Sequence, residues 1–179
     1  MGKRIAIDPG HGGGDSGAVG KRVLEKEANL QLGAELFTRL LSLGHEPLLL
    51  RGGDYDMKLS GRVKRAEDWT AEIFISLHHN GFHRESAGGC EIFCYPGSKK
   101  GRQLAEEIQS GLVRLWGLFD RGVKESSSLY VLRSTSMPAV LIEPLFITNP
   151  REEEILLGND YFCETAGSLA QKLHLLPIS

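Results

Sequence analysis

Short apolar segments alternate with longer segments of helical periodicity along the chain, and this alternation is the strongest constraint on its fold. The segment EIFISLH (72–78) is apolar enough for a strand that is buried on both faces of a sheet. From about Lys26 to Leu43, apolar residues recur at helical spacing, and Gly44 follows as a typical helix terminator. The alternation predicts an α/β domain with a largely parallel or mixed, twisted sheet of about six strands flanked by helices.

The individual elements can be placed from the same pattern. Ser60 is predicted to cap a second helix that runs to Trp69, Ser98 opens a long amphipathic helix, and Pro150 fits the first turn of a short acidic helix. FDRGVKESSS (119–128) is predicted to be a loop, and a final helix covers about 160–175. The predicted strands are 4–8, 46–51, 72–78, 90–95, 129–133 (LYVLR) and 139–143.

Length and charge limit the classes of protein to consider. A chain of 179 residues is enough for one domain, and we find no repeat or linker, so residues 1–179 are interpreted as a single domain and a monomer is expected. With 21 Lys+Arg against 23 Asp+Glu, bulk electrostatic binding of nucleic acid is disfavoured. No apolar run reaches the length of a membrane span, and Ile5–Ile7 is too short for the core of a signal peptide. We therefore expect no membrane insertion, and the sequence as given carries no export signal.

Ionisable residues stand where predicted strands end. His11 follows the first strand, His78 ends EIFISLH, Glu143 ends AVLIE, and Glu25 precedes the first long helix. Ligands bind at the carboxyl ends of strands in such sheets, and buried His or Glu side chains usually pair or bind a metal. Two imidazoles and one carboxylate form a typical catalytic zinc set, and Glu143 would then act as general base and acid for hydrolysis. On spacing alone, Glu27 is an equal alternative to Glu25.

The glycine-rich loop after the first strand has a competing interpretation. GGGDSG (12–17) matches the G-x-G-x-x-G pattern of dinucleotide-binding loops. However, Gly17 leads into another turn-rich stretch instead of a helix, and the second strand ends in Arg51 rather than in an acidic residue. We therefore interpret the glycines as residues that let the backbone wrap closely around His11.

Several motifs follow one another along nearly the whole chain: IAIDPGHGGGDSGAVG, LEKEANL, LLLRGGDYDMKLSGRVKRAED, FISLHHN, DRGVK, LYVLR and MPAVLIEPLFITNP. In this order they resemble the motifs of the type-3 family of zinc-dependent N-acetylmuramoyl-L-alanine amidases, which occur in bacterial autolysins and phage endolysins.

The resemblance implies both a site and a reaction. It implies zinc ligands at His11, Glu25 and His78, with one Zn²⁺ per chain, and a catalytic Glu143. It selects Glu25 over Glu27 because the ligand precedes the lysine of the E-K pair. The implied reaction is hydrolysis of the amide between N-acetylmuramic acid and L-alanine of peptidoglycan, so the chain would act at the bacterial cell wall. The wall-binding module that often accompanies such domains is absent from this sequence.

The two adjacent histidines of FISLHHN should have different roles. In a strand, His78 and Asn80 point to one face of the sheet and His79 points to the other. We therefore assign Asn80 to a hydrogen bond at the site or with substrate, and expect His79 to pack or bond in the opposite layer without touching metal.

The sequence departs from the family pattern after the glutamate. The family usually has x-G-F there, whereas Glu143 is followed by Pro144-Leu145-Phe146, which predicts a different backbone near the base.

Two other functions are alternatives to the amidase. One is a non-catalytic peptidoglycan-binding or activator domain, and the other is a zinc carboxypeptidase acting on stem peptides.

Overall fold

A six-stranded mixed sheet forms the centre of the molecule, and the computed structural model describes residues 2–177. The strand order is β2-β1-β3-β6-β4-β5, and all neighbours are parallel except the antiparallel pair β4 and β6. This confirms the predicted α/β domain and its strand number. The strands are β1 (Arg4–Pro9), β2 (Glu46–Leu49), β3 (Ile73–Leu77), β4 (Cys90–Cys94), β5 (Asp120–Glu125) and β6 (Ala139–Glu143).

Helices cover both faces of this sheet. The largest apolar cluster lies between the sheet and the helices α1, α3 and α6, and a second cluster lies under α2 and α4. No helix within residues 2–177 is both long enough and apolar enough to cross a membrane. The helices are α1 (Glu25–Ser42), α2 (Leu59–Asp68), α3 (Lys99–Trp116), α4 (Tyr130–Ser134), α5 (Pro150–Leu156) and α6 (Tyr161–Leu175).

The directions of the strands decide which residues share an edge. Because β1, β3 and β6 are parallel, their carboxyl ends meet at one edge of the sheet. Strand β4 runs the other way, so Glu91 near its amino end lies directly opposite Glu143 at the end of β6. Strand β5 is parallel to β4, so its first residues lie at that same edge.

Two predicted elements after α3 are wrong. The predicted loop FDRGVKESSS contains β5, whereas the predicted strand LYVLR forms α4. Strand β5 is paired only with β4 and is partly exposed, so it lacks the apolar alternation of a buried strand. In α4 the adjacent residues Val131 and Leu132 are both buried in the second cluster, which helical geometry allows and strand alternation does not.

Of the three helix starts predicted from Ser60, Ser98 and Pro150, two are confirmed and one is wrong. Ser98 accepts a hydrogen bond from Gly101 N at the start of α3, and Pro150 occupies the first turn of α5, as predicted. Ser60 does not cap α2, because that helix begins at Leu59, two residues earlier than a cap at Ser60 would place it, and its N-cap residue Lys58 makes no side-chain cap.

The departure at Pro144-Leu145 is absorbed by a third apolar cluster. Leu145 is fully buried there, together with Ile147, Leu156 and Tyr161. The loop that follows β6 also continues to pair with the chain after β3, since Asn80 N donates to Leu145 O at 2.8 Å. The leucine therefore anchors the segment next to Glu143 in the core.

Leu145→Ala should lower the free energy of unfolding by about 2–5 kcal/mol, because a fully buried leucine is replaced by a cavity. The measurement is chemical denaturation followed by circular dichroism. Leu41→Ala is the control, since Leu41 lies on an exposed position of α1 and should change stability by less than about 0.5 kcal/mol. Equal effects of the two substitutions would contradict the anchoring role.

Candidate metal and catalytic site

Two imidazoles and one carboxylate meet at the carboxyl edge of the sheet. His11 lies in the loop after β1, Glu25 is the first residue of α1, and His78 directly follows β3. Glu25 Oε1 lies 3.1 Å from His11 Nε2 and 2.8 Å from His78 Nδ1. Potential ligand atoms of the three side chains lie within 4.8 Å of one another, which is close enough to hold a single metal ion. Glu27 is exposed and takes no part in this set.

Glu25 is held by hydrogen bonds on both of its oxygens. The Ala18 amide donates to Oε2 at 2.8 Å, and the His79 amide donates to Oε1 at 3.2 Å. Burial alone would raise the pKa of this carboxyl, but hydrogen bonds from His11 and His78 outweigh it and hold the pKa well below its usual value. The residue is therefore a buried, ionised carboxylate, the state that a metal ligand requires.

A second carboxylate orients His11. Asp15 Oδ2 lies 2.8 Å from His11 Nδ1, which leaves Nε2 directed at Glu25. Burial lowers the pKa of His11, but its contacts with Glu25 and Asp15 raise it above the usual value overall. Fixing one ring nitrogen through a carboxylate so that the other faces the metal is the usual arrangement around metal-binding histidines.

Two buried arginines support the loop that carries His11. The guanidinium of Arg51 donates to the carbonyls of Pro9, Gly10, Lys26 and Gly53. Within this loop His11 has φ of 62°, a left-handed conformation that is uncommon for a residue with a side chain.

Arg62 acts from α2. It pairs with Asp8 through Nη1 at 2.6 Å and also donates to His11 O at 2.7 Å. Ser76 Oγ donates to the other carboxylate oxygen of Asp8. The glycine loop is thus wrapped around His11 with its carbonyls satisfied by arginine, in agreement with the interpretation given to its glycines.

His79 points away from this set, as predicted. It is fully buried, its Nδ1 lies 2.7 Å from Asn29 Oδ1, and its Nε2 lies 2.9 Å from the Tyr161 hydroxyl. Because the amide oxygen can only accept, Nδ1 carries the proton and Tyr161 donates to Nε2. Burial lowers the pKa of His79 to about 4, so the ring is neutral near pH 7. His79 therefore links α6 to Asn29, whose Nδ2 lies 3.3 Å from Glu25 Oε1.

Glu143 ends β6 beside the histidine and carboxylate set. Leu77 pairs with Ile142, and His78 N donates to Ile142 O at 3.0 Å. The next residues along the two strands, His78 and Glu143, therefore lie side by side at the strand ends. Glu143 Oε2 is buried and has no hydrogen-bond partner within residues 2–177. Burial, and then the negative charges of Glu25 and Glu91, raise the pKa of Glu143 well above its usual value. A carboxyl group in this state is suited to general acid–base chemistry.

Asn80 does not bond with His11, Glu25 or His78 through its side chain. Its Nδ2 donates to Glu91 Oε1 at 2.7 Å, and its Oδ1 accepts from Gly81 N at 2.8 Å. Its side chain thus connects the segment after His78 to Glu91, the residue opposite Glu143. Its assignment to substrate stays a prediction.

A cavity of about 470 Å³ opens beside His11 and His78. His11 and His78 line one side, and apolar residues from α4 and from the segment before α2, among them Tyr130 and Met57, line the other. Glu143 and Asn80 are not among the residues that line it.

Several supporting residues were missed from the sequence, among them Asp15, Asn29, Arg51, Arg62 and Glu91. Of these, Arg51 gave a usable signal, because a charged residue ends the apolar segment LLL and is followed by two glycines. Asn29 and Arg62 lie on helices with neighbouring polar residues, so their burial follows only from the packing of those helices.

The comparisons with known proteins agree with this geometry. The family model described as Amidase_3, N-acetylmuramoyl-L-alanine amidase, matches residues 5–174. The amidase LytC of Bacillus subtilis is 41% identical over 152 residues, which cover 83% of this chain but 30% of LytC. The B. subtilis protein YqiI is 39% identical over 94% of this chain and 82% of its own length.

Solved structures give the same result. The N-acetylmuramoyl-L-alanine amidase AmiC2 of Nostoc punctiforme superimposes with a TM-score of 0.89 and 33% identity, over 96% of this chain and 94% of that chain. The family match spans all four of His11, Glu25, His78 and Glu143. The chain therefore belongs to the N-acetylmuramoyl-L-alanine amidase family of hydrolases.

Proposed function

We propose that this chain is a peptidoglycan hydrolase that cleaves the amide between the lactyl group of N-acetylmuramic acid and L-alanine, with one Zn²⁺ held by His11, Glu25 and His78. The observation that carries the proposal is the convergence of these ligand atoms within 4.8 Å beside Glu143. Two neutral imidazoles and one ionised carboxylate suit Zn²⁺ and leave a coordination position open. Residues 1–179 would form a single catalytic domain that works as a monomer at the bacterial cell wall.

The zinc ion would polarise the scissile carbonyl and make a water molecule acidic enough to attack near neutral pH. Every other step is assigned to this chain's own side chains. Glu143 takes a proton from the attacking water as the new C–O bond forms. It then delivers that proton to the nitrogen of L-alanine as the C–N bond breaks, which leaves a lactyl carboxylic acid and a free amine.

The environment of Glu143 supports this double role. Its pKa is raised partly by the negative charge of Glu25, and a bound cation would offset that charge. Glu143 would then titrate closer to neutral pH, where a group that both accepts and donates a proton is most effective. Its buried Oε2 has no hydrogen-bond partner within residues 2–177, so this oxygen is not committed to another group of the protein.

Digestion of purified peptidoglycan tests the function directly. We expect new L-alanine amino termini and intact glycan chains, loss of this activity on exhaustive chelation, and its return with added Zn²⁺. Released D-amino acids would instead identify a carboxypeptidase, and binding without any new termini would identify a non-catalytic wall-binding domain. Activity that persists in a metal-free sample would contradict the role of zinc.

Glu143→Gln should lower turnover by about 10²–10⁴, because glutamine keeps the shape of the side chain but cannot accept the proton. Zinc content and the unfolding midpoint should stay close to those of the unmodified protein. Glu106→Gln is a matched control, because Glu106 is an exposed residue of α3 that pairs with Arg102 away from the site. Loss of zinc from Glu143→Gln would make Glu143 a ligand and contradict its assigned role.

The adjacent histidines provide a matched pair of variants. His78→Ala should lose zinc and activity together, because the two protein ligands that remain hold zinc poorly. His79→Ala should retain zinc at one per chain and lose about 1–3 kcal/mol of stability, because its buried ring bonds with Asn29 and Tyr161. Metal analysis and thermal unfolding of both variants check the assignment, and loss of zinc on replacing His79 alone would reverse it.

A further inference from the structure

A charged cluster that the mechanism does not use lies next to Glu143. Glu91 on β4 is buried, and its Oε2 accepts from Arg121 Nε at 2.7 Å and from Lys124 Nζ. Its Oε1 accepts from Asn80 Nδ2. These hydrogen bonds, and the charges behind them, hold the pKa of Glu91 below its usual value although burial opposes this. Two cations therefore share one ionised carboxylate, and the trio carries a surplus positive charge.

The surplus charge faces solvent. The side chain of Glu91 is 7% exposed, whereas that of Arg121 is 32% exposed and that of Lys124 is 40% exposed. Aromatic rings hold both cationic groups in place: Arg121 Cζ lies 5.0 Å from the centre of Phe146, and Lys124 Nζ lies 5.7 Å from that of Phe93. The carboxylate thus sits at the base of the cluster and the cations at its accessible side, so a second anion could bind there.

The register of the sheet places this cluster on the same face as the catalytic glutamate. Glu91 pairs with Glu143, and Phe93 pairs with both Leu141 and Lys124, so the side chains at these positions point to one face. With strands about 4.8 Å apart, the strand that carries Lys124 lies roughly 10 Å from that of Glu143. The lysine side chain then reaches back to Glu91 and shortens this distance.

In the substrate of the proposed reaction, the groups next to the scissile amide are charged on the peptide side and neutral on the glycan side. The sugars and the amidated lactyl group are neutral, whereas an acidic residue after L-alanine carries a carboxylate. An extended residue spans about 3.5 Å, so that carboxylate lies roughly 7 Å beyond the scissile bond, within reach of the cationic pair. Charge and distance therefore both favour an orientation in which the peptide, and not the glycan, lies over β4 and β5.

We propose that Lys124 and Arg121, positioned by Glu91, bind the carboxylate of the residue that follows L-alanine, and that this contact makes the enzyme prefer acidic over amidated stem peptides. The inference rests on the proposed amidase function and assigns the direction in which substrate lies across the sheet. Lys124 and Arg121 are specificity residues that touch substrate, and Glu91 is a positioning residue that acts through them.

The test compares two glycan oligomers that carry the same tripeptide stem, L-alanine followed by D-glutamate linked through its γ-carboxyl to L-lysine. The α-carboxyl of the glutamate is free in one oligomer and amidated in the other. The unmodified protein should cleave the acid with a kcat/KM about tenfold higher, the size expected for one charge-assisted contact, and the difference should lie mainly in KM. In Lys124→Met the ratio should fall towards one. Lys124→Arg, which keeps the charge, should restore most of the preference.

Lys64→Met is the control for loss of a lysine, because Lys64 is an exposed residue of α2 that pairs with Asp68. The ratio of kcat/KM for the acidic and amidated substrates in this variant should match that of the unmodified protein. Equal cleavage of both substrates by the unmodified protein would overturn the proposal, as would an unaltered ratio in Lys124→Met. A failure of the amidase function itself is distinguishable, because neither substrate would then yield new L-alanine amino termini.

Discussion

The buried carboxylate of Glu25 is the interaction on which the rest of the site depends. Through it the loop after β1, the start of α1 and the end of β3 meet at one point, by way of His11, Glu25 itself and His78. A buried charge is costly unless it is paired and hydrogen-bonded, and this one receives two backbone amides in addition to the imidazoles. The chain has therefore concentrated negative charge where a divalent cation can balance it.

The surrounding protein keeps this arrangement rigid from several directions. Arg51 and Arg62 hold the carbonyls of the glycine loop, and His79 with Tyr161 connects Asn29, and so Glu25, to α6. These hydrogen bonds are buried or partly buried, and the loss of any one would leave a polar group without that partner. Preorganisation of this kind holds His11, Glu25 and His78 in place, and it would limit the conformational entropy that binding of a metal ion costs.

The sequence predicted the fold class, the strand number and the meeting of His11, Glu25 and His78, but not two of the elements around them. His11, His78 and Glu143 could be found because each is an ionisable residue at the end of an apolar strand, and the E-K pair of the family resemblance picked out Glu25. Strand β5 was missed because an edge strand with one partner has no alternating apolar pattern. Helix α4 was missed because a helix of five residues is too short to show a helical period. The role of Glu91 could not be foreseen at all, since it follows from the reversed direction of β4.

That reversal gives the site its asymmetry. In a fully parallel sheet, the amino ends of β4 and β5 would lie at the opposite edge from Glu143. Because β4 is antiparallel to β6, Glu91 and Arg121 come to the edge where β6 ends at Glu143. Their charges lie on one side of Glu143, and His78, which follows β3, lies on the other. Glu143 therefore lies between the negative charge of Glu25 and the carboxylate of Glu91, which together with burial raise its pKa. The same strand reversal that brings the charge of Glu91 next to Glu143 also brings Arg121 to this edge of the sheet.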